Sequence, residues 1–111
     1  KKQSLRIAYF NILNKLIKLQ KLLERTKYQY AKALMGEIFI SLSEFGCIID
    51  DDVYSKIKEL QRTLFNNVQN GLLGFSLCKN IAFIKEQLQD LISDILCRIF
   101  EFDRYLSDFS V

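Results

Sequence analysis

The sequence contains no histidine, no proline and no tryptophan, and has only four glycines and three cysteines among its 111 residues. Lacking histidine, it lacks the side chain that most readily exchanges protons near neutral pH, and so every His-dependent triad and imidazole metal site. With no proline and so little glycine, chain breakers are scarce and no Gly-rich loop cradles a phosphate. The segment Gly71-Leu72-Leu73-Gly74 lacks the Gly-Lys-Ser/Thr ending such a loop needs and reads as a connector. Cys47, Cys78 and Cys97 lie 31 and 19 residues apart, a spacing that suits neither a CxxC redox pair nor a zinc-ligand pair. An odd number of cysteines also argues against a secreted disulfide framework, so the expected setting is the reducing cytoplasm.

Long apolar runs are missing too. The best candidate, residues 33–49, is interrupted by Glu37 and Glu44 and falls short of the roughly 20 residues that span a bilayer. Near the start, Arg6, Asn11, Asn14 and Lys15 break the apolar stretch after Lys1 and Lys2, so a secretory signal is not expected.

What is present is hydrophobicity at helical spacing, in a chain 50% hydrophobic and 26% charged. Leu5, Tyr9, Ile12, Leu13, Leu16, Ile17, Leu19 and Leu23 recur at three and four, predicting a helix over about 4–25. Ala31, Leu34, Ile38, Leu42 and Phe45 start a second register, predicting a helix over 28–46. A tight turn is placed near Thr26, where Thr26 and Gln29 read as a capping box. No Gly, Pro or Asn supports that turn, so the alternative is a continuous first pair of helices and three long helices in all. Gly46 reads as the closure of the second helix. Asp50, Asp51 and Asp52 suit the start of a third, over about 52–70, carrying Val53, Ile57, Leu60, Leu64 and Val68 on one face. Asn70-Gly71 closes it, residues 71–76 read as a linker, and Ser76 reads as the cap of a fourth helix over 77–109. Its arc runs through Ile81, Ile84, Leu88, Leu91, Ile95, Ile99, Phe102, Leu106 and Phe109. The expected fold is one all-α domain over 1–111, an antiparallel up-and-down four-helix bundle whose last helix, roughly 50 Å long, overhangs the others.

Charge is divided unevenly. Residues 1–32 hold nine Lys or Arg against Glu24 alone, while residues 33–111 hold seven basic and twelve acidic residues. Lys18, Lys21, Arg25 and Lys32 fall near one stripe that could follow phosphates, with Tyr28 to stack on an unpaired base. The plainer alternatives are a solvated face, or attraction to the acidic last helix with Glu86, Asp90, Asp94, Glu101, Asp103 and Asp108. An anionic membrane surface ranks behind nucleic acid as a partner for the stripe. The Asp50 to Asp52 run lacks the alternating spacing and internal Gly of a calcium loop, so helix capping is preferred over a metal site.

Large apolar residues also fall outside the core arcs: Ile7 and Phe10 on the first helix, Ile40 on the second, Phe83 and Phe100 on the fourth, with Cys97 on the same outer side. Side chains of this size on the backs of three helices point to a second buried face and so to a protein partner or a homo-oligomer. In that arrangement Asp90, Asp94 and Glu101 would form a rim meeting the basic stripe of another subunit. The expected function is therefore a non-catalytic, self-associating helical interaction module. The alternative is a small RNA- or DNA-binding subunit using the first helix, and the third reading is a metal-dependent enzyme using carboxylates. Nothing in the sequence calls for a cofactor or a small-molecule substrate.

Overall fold

The computed structural model describes residues 2–45, 49–71 and 75–109. The expected closure at Gly46, the thiol of Cys47 and the centre of the 71–76 linker lie outside the described residues, as do the side chains of Phe45, Leu106 and Phe109. There are four helices, α1 (Lys2–Glu24), α2 (Tyr28–Phe45), α3 (Asp51–Asn67) and α4 (Ile81–Phe109), and a two-stranded antiparallel ladder, β1 (Val68–Asn70) and β2 (Ser76–Cys78), lies between α3 and α4 in the chain.

Hydrogen bonds between helices fix the direction of each. Arg6 bonds Asp103 and Gln20 bonds Gln89, so advancing along α1 means retreating along α4. Arg98 reaches Asp52 while Lys56 reaches Asp94, and α3 therefore runs against α4 in the same way. Each helix packs on its two neighbours in sequence order, with α1 also closing on α4, which makes an antiparallel four-helix bundle. At 1.5 Å per residue α4 spans about 43 Å, within a molecule 60 Å long and 24 Å by 19 Å across.

The three-four spacing of apolar residues becomes the core. Tyr9, Ile12, Leu16, Leu19 and Leu23 of α1 are buried, as are Ala31, Met35, Ile38 and Leu42 of α2. From the other two helices come Val53, Ile57, Leu60 and Leu64, then Ile84, Leu88, Leu91, Ile95 and Ile99. Burying an aliphatic or aromatic side chain contributes on the order of 1.5–3 kcal/mol, so these rows are what hold the bundle together. Among the described residues, Ser41 is the buried polar residue, and its hydroxyl accepts a hydrogen bond from Lys15 across the α1–α2 seam.

The turn at Thr26 is real, and α1 does not run on into α2. Its chemistry differs from a capping box. Thr26 takes the left-handed conformation, φ 57°, with its N–H donating to Leu23 and the N–H of Lys27 donating to Leu22. Those two bonds are the paired closure that usually places glycine at the left-handed position. The Thr26 hydroxyl donates to the carbonyl of Arg25, while the Gln29 amide reaches Asn70 instead of turning back.

Two further expectations are corrected at the α3–α4 connection. The third helix ends at Asn67 rather than near residue 70, and α4 starts at Ile81 rather than 77. Ser76 sits in β2 and caps nothing; Asn80, at φ 56°, starts α4, its carbonyl accepting from Ile84 N–H and its side chain donating to Asn67. Asparagine tolerates this conformation better than most residues because its short polar side chain bonds locally. Gly71 belongs to the hairpin: its N–H donates to Phe75, and a Cβ there would lie 2.7 Å from the Phe75 carbonyl oxygen.

Candidate interaction surfaces

The acidic run before α3 is organised by one arginine. Asp50 occupies the cap position in extended conformation, φ −61° and ψ 142°, but its carboxylate bonds no helix N–H. It accepts instead from the Tyr9 hydroxyl at 2.7 Å and from Arg98 at 2.7 Å. Arg98 also donates to Asp52, and to Asp94 at 3.2 Å, while Lys56 meets Asp94 at 2.9 Å. The expected side-chain cap is thus replaced by a tertiary tie between α1, the start of α3 and α4; Asp51 and Asp52 remain in the first turn, where negative charge suits the helix dipole. Burial, and then the hydrogen bond to Asp50, push the Tyr9 hydroxyl up to about 12. For Asp94, burial opposes ionisation, but the bonds from Lys56 and Arg98 outweigh it and hold the carboxyl below its usual value. For Arg98, burial is likewise outweighed by Asp94 and Asp52, so its charge is held more firmly than in water. Among the described residues no group of three or more His, Cys, Asp or Glu is placed to hold a metal.

The apolar residues outside the core arcs divide into separate places. Arg6 lies 4.7 Å over the Phe10 ring and pairs with Asp103 at 2.5 Å. Phe10 follows Arg6 by one turn and Phe100 precedes Asp103 by one turn, so both rings flank the outer shoulder of the α1–α4 seam at nearly the same level. Ile7 is 59% exposed, Phe10 37% and Phe100 65%, and the exposed thiol of Cys97 lies one turn from Phe100. On the inner side of this seam Tyr9 stacks on Phe102 at 6.0 Å. Phe83 is also exposed but stands about 25 Å from Phe100 along α4. Ile40 is exposed on α2, a different helix again. The six residues expected to share an interface therefore yield one cluster of Ile7, Phe10, Cys97 and Phe100, with Phe83 and Ile40 apart.

The basic stripe is sorted in the same way. Lys18 and Lys21 line a groove of about 410 Å³ between α1 and α2, together with Leu22, Tyr30, Leu34 and Glu37. Arg25 is exposed one turn further on. Lys32 turns away to α3, with its ammonium 5.1 Å from the centre of the Phe65 ring. Tyr28 is buried in the core at 9% exposure, so its ring has no face left for a base; the exposed aromatic beside the lysines is Tyr30, at 67%. The spacing carried this information, because Tyr28 precedes Ala31 by three and Met35 by seven and so shares their buried face. Asp94, expected in the polar rim of an outer interface, is tied to Lys56 and Arg98.

Two surfaces were not foreseen from the sequence. A cleft of about 230 Å³ opens between α3 and α4, lined by Lys56, Glu59, Gln87, Asp90 and Leu91. Gln87 Oε1 is shut off from solvent there without a hydrogen-bond donor. At the hairpin, Phe75 and Leu77 are 71% and 61% exposed.

Comparisons with known protein families, with curated proteins and with solved structures return no match.

Proposed function

We propose that the chain is a non-catalytic helical interaction module that self-associates through the outer shoulder of the α1–α4 seam. The observation that carries this reading is the cluster of Ile7, Phe10 and Phe100, left open to water beside a core that is already closed. Aromatic anchors dominate many protein interfaces, and Arg6 and Asp103 beside them supply the polar edge such patches have. The free thiols of Cys78 and Cys97 suit a reducing, cytoplasmic setting. Catalysis by carboxylate-bound metal is the weaker alternative, since Asp50, Asp52 and Asp94 are engaged with Arg98.

Mass by light scattering at about 100 μM, a concentration that populates contacts of micromolar affinity, tests the proposal. The wild type should exceed 13.1 kDa, and Phe10→Ser with Phe100→Ser should lower the mass while circular dichroism stays unchanged. A wild type of monomer mass, or a double variant of unchanged mass, would remove this surface.

A second reading, binding of RNA or DNA, is favoured by the placement of Lys18 and Lys21 beside the exposed Tyr30 ring. Phosphate binding falls steeply with salt. The expected result on this reading is binding to a random oligonucleotide at low salt that weakens on Lys18→Gln and Lys21→Gln; no binding at about 50 mM salt ends it.

A further inference from the structure

Opposite sides of the bundle carry complementary charge. Because α1 packs on α2 and α4, and α3 on α4 and α2, the α1–α2 groove and the α3–α4 cleft face in opposite directions. The groove presents Lys18 and Lys21 on its α1 bank, with Arg25 one turn along, and Glu37 on its α2 bank. The cleft presents Asp90 on its α4 bank, with Glu86 one turn back, and Lys56 and Glu59 on its α3 bank. Among the described residues, none of Lys18, Lys21, Arg25, Glu37, Glu86 and Asp90 is in an ion pair within the chain, whereas Lys56 pairs with Asp94 and Glu59 with Arg62.

The levels match as well as the signs. The Arg6–Asp103 and Gln20–Gln89 bonds set Lys18, Lys21 and Arg25 level with Leu91, Leu88 and Ile84 of α4. Each cation thus stands within about 3 Å of axial rise from Asp90 or Glu86.

We propose that the α3–α4 cleft of one copy receives the lysines of the α1–α2 groove of a second copy, joining bundles side by side in the same orientation. In that arrangement α1 faces α4, so Lys18, Lys21 and Arg25 oppose Asp90 and Glu86. At the same time α2 faces α3, where Glu37 lies near the level of Glu59, so the attraction rests on the α1–α4 side of the contact. The cleft, at about 230 Å³, is smaller than the roughly 300–1,000 Å³ of small-molecule pockets. It accommodates the aliphatic stem of a lysine along Leu91, with the ammonium between Glu59 and Asp90. Gln87 Oε1, which lacks a donor within its own chain, borders this cleft, and a shift of its side chain would offer it to the incoming ammonium. The contact relates two copies by translation and leaves a groove free at one end and a cleft at the other. It is heterologous, so it extends into a linear array instead of closing as a dimer.

This contact does not rest on the aromatic shoulder, and salt separates the two, because exposed ion pairs are screened within about 10 Å at 0.1 M while apolar contacts are not. The experiment uses two full-length variants: Lys18→Glu with Lys21→Glu, and Glu59→Lys with Asp90→Lys. All four positions are exposed, so both variants should keep the wild-type circular dichroism. Sedimentation velocity at about 20 mM salt, where the screening length exceeds 20 Å, should show wild-type mass rising with concentration and falling on addition of salt. Each variant alone should lose the salt-sensitive part of that rise. Mixed one to one they should regain it, since each then offers the surface the other lost. Gln87→Met should keep the melting temperature and weaken association roughly tenfold, the worth of one charge-assisted hydrogen bond. A wild type whose mass ignores salt, a mixture that stays at the mass of its components, or an unchanged affinity for Gln87→Met would each overturn this seating of the lysine.

Discussion

The two flanks of α4 are held by different means. Towards α1 the seam is an aromatic stack of Tyr9 on Phe102, the neutral Gln20–Gln89 bond and one half-buried pair, Arg6–Asp103. Towards α3 it is a charge network in which Arg98 gathers Asp50, Asp52 and Asp94, and Lys56 shares Asp94. The apolar rows beneath both flanks are alike. The difference therefore separates what every seam of the bundle needs, buried aliphatic packing, from what fixes register at one place along it.

The largest expected effect removes both flanks together. Leu88→Asp or Ile95→Asp puts an unpaired charge at a fully buried position, at a cost comparable to the whole stability of about 5–15 kcal/mol of a small domain. Neither variant should show a cooperative thermal transition by circular dichroism, and a retained transition would show that this face of α4 is not the centre of the core.

The flanks meet at Tyr9, whose ring lies on Phe102 and whose hydroxyl bonds Asp50. Its pKa is raised from 10.0 to about 12. A raised value stabilises the fold fully below the unfolded pKa, and the benefit is lost as pH rises through the folded one. Stability should thus fall by about 2–3 kcal/mol between pH 10 and 12. Tyr9→Phe should flatten this fall in chemical denaturation across that range. Asp94 has the opposite sign: its lowered pKa stabilises above the unfolded carboxylate range, and that share goes as pH drops through the folded value.

Arginine truncations compare the flanks directly. Arg98→Ala leaves Asp94, whose side chain is 24% exposed, short of a partner and should cost about 1–3 kcal/mol, reduced by the half-exposure of Asp50 and Asp52. Arg6→Ala removes a single half-buried pair and should cost about 1 kcal/mol or less. Equal losses in urea unfolding would mean that the network adds nothing over a single pair.

The smallest effect lies outside both flanks. Thr26→Gly relieves a β-branched residue in the left-handed region, worth about 1–2 kcal/mol, against about 0.5–1 kcal/mol of added backbone entropy in the unfolded chain. A net gain of about 0.5–1 kcal/mol should appear as a Tm a few degrees higher.

The aliphatic rows were legible in the sequence because a helix repeats its buried face every three or four residues, as Val53, Ile57, Leu60 and Leu64 do. The end of α3 was not, because Val68 continues that same spacing while already lying in a strand. A three-residue strand is too short to show the alternation that would betray it. The apolar back faces of α1 and α4 were readable, but their division was not, since the distance from Phe83 to Phe100 matters only once α4 is laid out as a rod. The Arg98 network was invisible for another reason. Its acids at Asp50 and Asp52 are more than 45 residues away in sequence, and no local pattern signals a partner at that range. Lys32 was misplaced because a stripe carried on from α1 across the turn at Thr26 depends on how many residues that turn consumes, whereas the burial of Tyr28 was written in its spacing to Ala31 and Met35.

The seam between α1 and α4 also has a consequence in time. It joins the first and last of the four helices described, so a growing polypeptide completes α1 long before its partner exists. At about 5–20 residues per second, synthesis needs roughly 4 to 17 s to pass from Glu24 to Phe109. During that interval α2 can cover one side of α1, while the side that meets α4 stays wet. A nascent chain halted within α4 would therefore display Leu13 and the Tyr9 ring to whatever binds apolar surface, until α4 folds back onto α1.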